Sequence, residues 1–207
     1  MSRPVLYVTL ASALTLVACE SVTRPAELSE PEVSATTTPT PAEVEALISG
    51  AYAQYWGVAH YWRSNAIGMG VMANHNSSSW GNFAMNDLGR EPRQPVDDLN
   101  QTSYAWAYIF EVPWDDNYMA IQDASDGLDA LKAGVELGPG GQDNARAEAF
   151  AKFAQGLSGC NLALNFREAL LMDDRIPAQA AAKQPPVRHD VAMRFYMNKL
   201  DEAHRIA

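Results

Sequence analysis

Three pairs of adjacent carboxylates, Asp97-Asp98, Asp115-Asp116 and Asp173-Asp174, are the groups whose spacing could serve as paired acids or hold calcium. Such pairs near helix ends ordinarily act as caps or solvated charge. The four histidines, His60, His75, His189 and His204, are scattered and lack the His-Glu-x-x-His spacing of a zinc site. Gly68-Met69-Gly70 has neither the lysine nor the preceding strand of a phosphate loop, and no Gly-x-Ser-x-Gly elbow occurs. Catalysis, a metal and a cofactor are therefore not expected. Binding chemistry has better material in the irregular row around His75 to Asp98, where Trp80, Asn82, Asn74, Asn76 and Asp87 mix a flat ring with amides and a carboxylate. A ring can lie against the C–H face of a pyranose while the polar groups take its hydroxyls. These five residues are the candidate ligand contacts; Trp56, Trp62, Trp106 and Trp114 fall in helical patterns and are expected in the core.

The two cysteines differ in setting. Arg3 precedes an apolar run from Val5 to Val17 that is too short to span a bilayer comfortably, which is the shape of a secretory signal. The run ends Leu16-Val17-Ala18-Cys19, which resembles a bacterial lipobox, so Cys19 is expected to carry a diacylglyceryl tether after cleavage. Cys160 lies on an apolar stripe and is expected to be a small buried hydrophobe. A formal net charge of −10 argues against nucleic acid as the main partner, because phosphate binding needs a basic surface.

Positioning such groups falls to helices. Residues 1–18 read as the signal peptide, 19–39 as a disordered spacer rich in Pro, Ser, Thr and Glu, and 40–207 as one helical region. Thr40-Pro41-Ala42-Glu43 opens the first helix as a capping box, with Val44, Leu47, Ile48, Ala51 and Tyr55 turned inward. The row from Gly57 to Thr102 loses periodicity, apart from one short helix near His60 to Met72. A second helical region starts near Ser103, is interrupted at Pro113, and continues through Trp114, Tyr118, Ile121, Leu128 and Leu131 to a Gly-rich turn at Gly138-Pro139-Gly140-Gly141. A central helix then runs from Ala145 to Met172. Its stripe of Phe150, Phe153, Leu157, Cys160 and Leu164 is expected to face a partner, and Ala151, Ala154, Gly156, Ser158 and Gly159 permit close neighbours. Asp190 is expected to cap a last helix with Val191, Phe195, Leu200, Ala203 and Ile206 inward. The fold class is all-α, with tetratricopeptide-like helical hairpins and a long irregular loop insertion. The last pattern stops without a closing partner, so the region is expected to be incomplete.

The lipobox Cys19, the spacer, Gly50-Ala51-Tyr52 at the end of a helix, Trp114, Tyr118 and Ile121 at their spacing before the Gly-rich turn, and Glu148-Ala149 after it together resemble the N-terminal half of a SusD/RagB-like outer-membrane nutrient-binding lipoprotein. The chain departs from that pattern at Ala124-Ser125, where the family has Ala-Asn, and at Phe150 and Phe153, where it has arginines, so it resembles a divergent branch. The resemblance implies a protein anchored through acylated Cys19 in the outer membrane. It also implies non-catalytic capture of a glycan or other small nutrient beside a TonB-dependent transporter. The alternative is a helical-repeat envelope lipoprotein that scaffolds other proteins. A lipid-anchored hydrolase using one of the acidic pairs is the remaining class.

Overall fold

The computed structural model describes residues 38–60, 64–77, 85–89, 91 and 104–207, with residues 86, 87 and 104–108 described in backbone only. The helices are α1 (Pro41–His60), α2 (Asn65–Met72), α3 (Met85–Leu88), α4 (Tyr104–Lys132), α5 (Asn144–Asn165), α6 (Ala178–Ala181) and α7 (His189–Ile206). Among the described residues the sheet structure is one short antiparallel ladder, β1 (Glu168–Ala169) against β2 (Val187–Arg188), with Glu168 opposite Arg188. The chain is all-α, as its periodicity predicts. The signal-like segment, Cys19, Trp62, Trp80, Asn82 and Asp97-Asp98 lie outside the described residues.

The start of α1 is fixed by reciprocal hydrogen bonds. The Glu43 amide donates to Thr40 Oγ1 at 3.3 Å, and Glu43 Oε2 accepts from the Thr40 amide at 2.7 Å. Val44, Ile48 and Ala51 are then buried with Ala124 and Leu128 of α4 and Ala151 and Ala154 of α5. The expected break in α4 does not occur: the helix runs through Pro113. Proline removes one backbone donor from the ladder, and locally the Asn117 side-chain amide donates to the Pro113 carbonyl at 2.5 Å. Both sides of the proline are held by burial, Ile109 and Phe110 against Val71, Met85 and Leu88, and Ile121, Ala124 and Leu128 against α1, α5 and the chain after it.

Between α4 and α5 the chain reverses through Gly138, Gly140 and Gly141, all at positive φ, where glycine avoids the Cβ clash. Asn144 clasps the loop, accepting from the Leu137 amide at 2.7 Å and donating to the Val135 carbonyl at 3.1 Å. The hairpin that results packs Ser125 of α4 beside Gln155 of α5, with Ile121 and Leu162 in one cluster.

The central helix inverts the sequence expectation. Its small face is buried, including Ala151, Ala154, Gly156, Ser158 and Gly159, while Phe150 (37%), Phe153 (38%) and Leu164 (75%) remain exposed. The cause is α7. A Cβ at Gly159 would overlap the Tyr196 ring, and one at Gly156 would overlap Leu200, so only glycine lets α7 lie so close. The helix also ends earlier than the periodicity suggests, at Asn165, and the chain turns into β1.

The inner face of α7 matches the expected one at Ala203 and in part at Phe195, Leu200 and Ile206, which are half-buried, but its fully buried residues are otherwise different. Ala192, Tyr196, Lys199 and Ala203 are buried and Val191 is exposed. The Tyr196 hydroxyl sets this register, donating to the Leu170 carbonyl at 2.8 Å and accepting from the Met172 amide at 3.2 Å. Asp190 does not cap α7 but sits in its first turn, paired with Arg188 at 3.1 Å and Arg194 at 3.2 Å.

Candidate functional site

Two groupings of side chains are candidates: an ion-pair group beside which a cleft of about 320 Å³ opens, and a surface of aromatic rings. The first is the turn after β1. Asp173 and Asp174 are withdrawn from water, with Asp174 Oδ1 accepting from Lys152 Nζ at 2.5 Å and Asp174 Oδ2 from Lys132 Nζ at 2.9 Å. Asp173 pairs with the buried Lys199 ammonium and with Arg175 at 3.1 Å, and its Oδ1 accepts from the amides of Arg175 and Ile176. Glu202 completes the group, 3.4 Å from Lys152 and 3.3 Å from Arg175. Burial alone would push both aspartates up, but the Lys199 and Arg175 contacts hold Asp173 below the usual carboxylate range. Lys152 and Lys132 do the same for Asp174.

That arrangement suits a structural knot rather than acid–base work. A general acid needs a raised pKa near the working pH, and here both carboxylates stay ionised and saturated with donors. The knot joins α4, α5, the turn and α7. Beside it, Tyr118 accepts from the Leu170 amide at 2.6 Å, and burial pushes its hydroxyl up to about 12. Burial likewise raises the Cys160 thiol, as expected of a half-buried hydrophobe.

The second grouping is an exposed surface of rings. Tyr52, Trp56 and His60 recur every four residues on α1 and so form one stripe, about 12 Å long by helix rise. Tyr52 lies 6.2 Å from Trp56, 5.4 Å from Phe150 and 6.3 Å from Phe153, measured between ring centroids. Trp56 and His60 are 4.1 Å apart. Trp56 is 51% exposed, which corrects its expected place in the core: α1 buries the stripe of Val44, Ile48, Ala51 and Val58, and Trp56 lies off it. Trp114 does pack inward, edge-on to Tyr118 at 4.9 Å and Phe166 at 5.0 Å. Next to the ring surface, a cleft of about 630 Å³ opens between α1 and the start of α5, with Glu45, Ser49, Asp143 and Arg146 around the Phe150 ring. Its size is within the roughly 300–1,000 Å³ usual for ligand sites.

The residues chosen from the sequence are only partly placed by this geometry. Asn74 and Asn76 are exposed in the turn that ends α2. Asn74 has φ of 58°, the left-handed conformation that asparagine tolerates better than most residues, and the His75 amide donates to the Gly70 carbonyl at 2.9 Å. Asn74 is thus a helix terminator as well as an exposed amide. Asp87 falls in α3 and Trp106 in α4, each with only its backbone described. Asp116 is buried. Sequence reasoning missed Trp56, Phe150 and Phe153 as surface residues around the half-buried Tyr52. The available signal was Lys152 and Gln155 standing on the same face as Gly156 and Gly159, which marks that face as the one α7 and the turn must satisfy. Among the described residues no group of three His, Cys, Asp or Glu side chains gathers as a metal site, and no helix is long and apolar enough to cross a membrane. No family model matches the chain, nor does any curated protein or solved structure.

Proposed function

We propose that the chain is a lipid-anchored, non-catalytic binding protein that captures a nutrient, with a glycan as the favoured class, beside a TonB-dependent outer-membrane transporter. The observation that carries this reading is the ring surface of exposed Trp56, Phe150 and Phe153 around the half-buried Tyr52, bordering the cleft that holds Glu45, Ser49, Asp143 and Arg146. Rings in water cost free energy unless something covers them, and pyranose C–H faces suit flat apolar surfaces whose neighbours offer donors and acceptors. The lipobox-like row ending at Cys19 supports the anchor, and the saturated Asp173-Asp174 pair supports holding over bond-making.

Isothermal titration of the full chain against a panel of soluble oligosaccharides tests the reading. The expected result is saturable binding, recovery of the oligosaccharide unaltered, and loss of about tenfold or more in affinity for Trp56→Ala or Phe150→Ser. Trp80→Ala is a separate arm that reports whether the irregular row also contributes. Absence of binding across the panel, or cleavage of the sugar, contradicts the reading.

The scaffold alternative draws on the exposed apolar stripe of α5, since protein interfaces also favour half-exposed aromatic side chains. It is favoured if the sugars do not bind while Phe150→Ser detaches a defined envelope protein in cross-linked cells.

A further inference from the structure

The cleft between α1 and the start of α5 has a charge pattern that bears on which saccharides can enter it. Its described lining sets two carboxylates, Glu45 and Asp143, against one guanidinium, Arg146, with Ser49 as the neutral polar group. Arg146 pairs with Asp143 at 3.3 Å. Glu45 is exposed on α1, and no cation among the described residues pairs with it. An incoming carboxylate that took the 83% exposed guanidinium would leave Asp143 unpaired in the same cleft. The excess of negative charge is therefore the same whichever acid the guanidinium faces. Helix starts ordinarily favour anions, but both starts beside this cleft already carry an acid, Glu43 in the first turn of α1 and Asp143 ahead of α5. The net charge of −10 adds repulsion of the same sign.

We infer that the cleft takes uncharged saccharides and turns away those whose rings carry carboxylates, with Glu45 as the residue that sets the selection. The inference rests on the glycan reading and adds a charge class to it. Ring stacking does not make this choice: Tyr52, Phe150 and Phe153 can meet the C–H face of a sugar whether its C6 is a hydroxymethyl or a carboxylate. The field of an unpaired carboxylate on the cleft wall does make it, because a ligand carboxylate in the cleft lies within the Debye length of about 10 Å at 0.1 M salt.

Calorimetric titration of the full chain with matched pairs tests it: cellohexaose against its C6-oxidised glucuronate form, and mannohexaose against hexamannuronate. The uncharged member of each pair is expected to bind about tenfold or more tighter at low salt. That gap is expected to narrow in about 1 M salt, where the Debye length falls to about 3 Å. Glu45→Lys is expected to close most of the gap. Asp201→Lys makes the same change of charge on α7, outside the cleft, and is expected to leave the gap several-fold wide. Both positions are exposed, so unchanged circular dichroism is expected to accompany these results. Uronates that bind as tightly as their uncharged partners overturn the inference and leave the glycan reading standing, as do equal effects of the two lysine variants. Absence of binding by either uncharged sugar or either uronate overturns the glycan reading and the inference with it.

Discussion

Asp174 is nearly inaccessible to water and is paired on both oxygens by lysines from different helices, Lys132 of α4 and Lys152 of α5. Removing one partner of such a pair leaves an uncompensated buried charge, which costs far more than the intact pair contributes. Asp174→Asn keeps the shape and strands Lys152, which is 6% exposed, with Glu202 as its remaining acid at 3.4 Å. The expected loss is about 3–5 kcal/mol in urea denaturation. The same residues set the acid limb of stability. Asp173, Asp174 and Glu202 are held below their usual range when folded, so their contribution is complete at neutral pH and declines as pH falls below about 5. Asp123 and Asp126, raised by burial, act with the opposite sign and offset part of that decline. Thermal melts should therefore fall steeply on acidification in the wild type and less steeply in Asp174→Asn. A parallel decline in both would contradict the assignment.

At the scale of elements, the α5–α7 contact depends on absent side chains. Gly159→Ala gains about 1 kcal/mol of helix propensity but drives a methyl into the Tyr196 ring. Tyr196 cannot retreat without breaking its hydrogen bonds to Leu170 and Met172, so the overpacking cost should reach the upper part of the roughly 1–3 kcal/mol range and leave the variant less stable. Gly50 in α1 has open space where a Cβ would stand, and Gly50→Ala should instead raise stability by up to about 1 kcal/mol. Melting temperatures moving in opposite directions would confirm the contrast; a neutral Gly159→Ala would refute it. The same contact explains what the sequence could reveal. Thr40 and Glu43 announce the start of α1, and the glycines after Leu137 announce the hairpin, because caps and turns are local chemistry. Which face of α5 is inside is not local. Hydrophobicity favours the phenylalanines, but Tyr196, nearly forty positions along, needs the glycine face, and Lys152 turns inward only because Asp174 arrives there. Trp56 escapes a sequence reading for the same reason: a helical period marks a stripe without saying what meets it.

Across the described residues, the Asp173-Asp174 carboxylates are spent inside, tying α4, α5 and α7 together, while Trp56, Phe150 and Phe153 face outward from α1 and α5. That division favours a body that holds a ligand rather than transforms it. An outward ring surface is useful to an envelope receptor only where the protein is kept at the membrane, and in the proposed reading that role falls to Cys19. Metabolic labelling with radioactive palmitate, followed by membrane fractionation, is the most direct test of a tethered receptor. The account expects label on the wild-type chain in the membrane fraction and none on Cys19→Ser, which should appear in the soluble fraction. An unlabelled wild-type chain, or label that persists in Cys19→Ser, would contradict it.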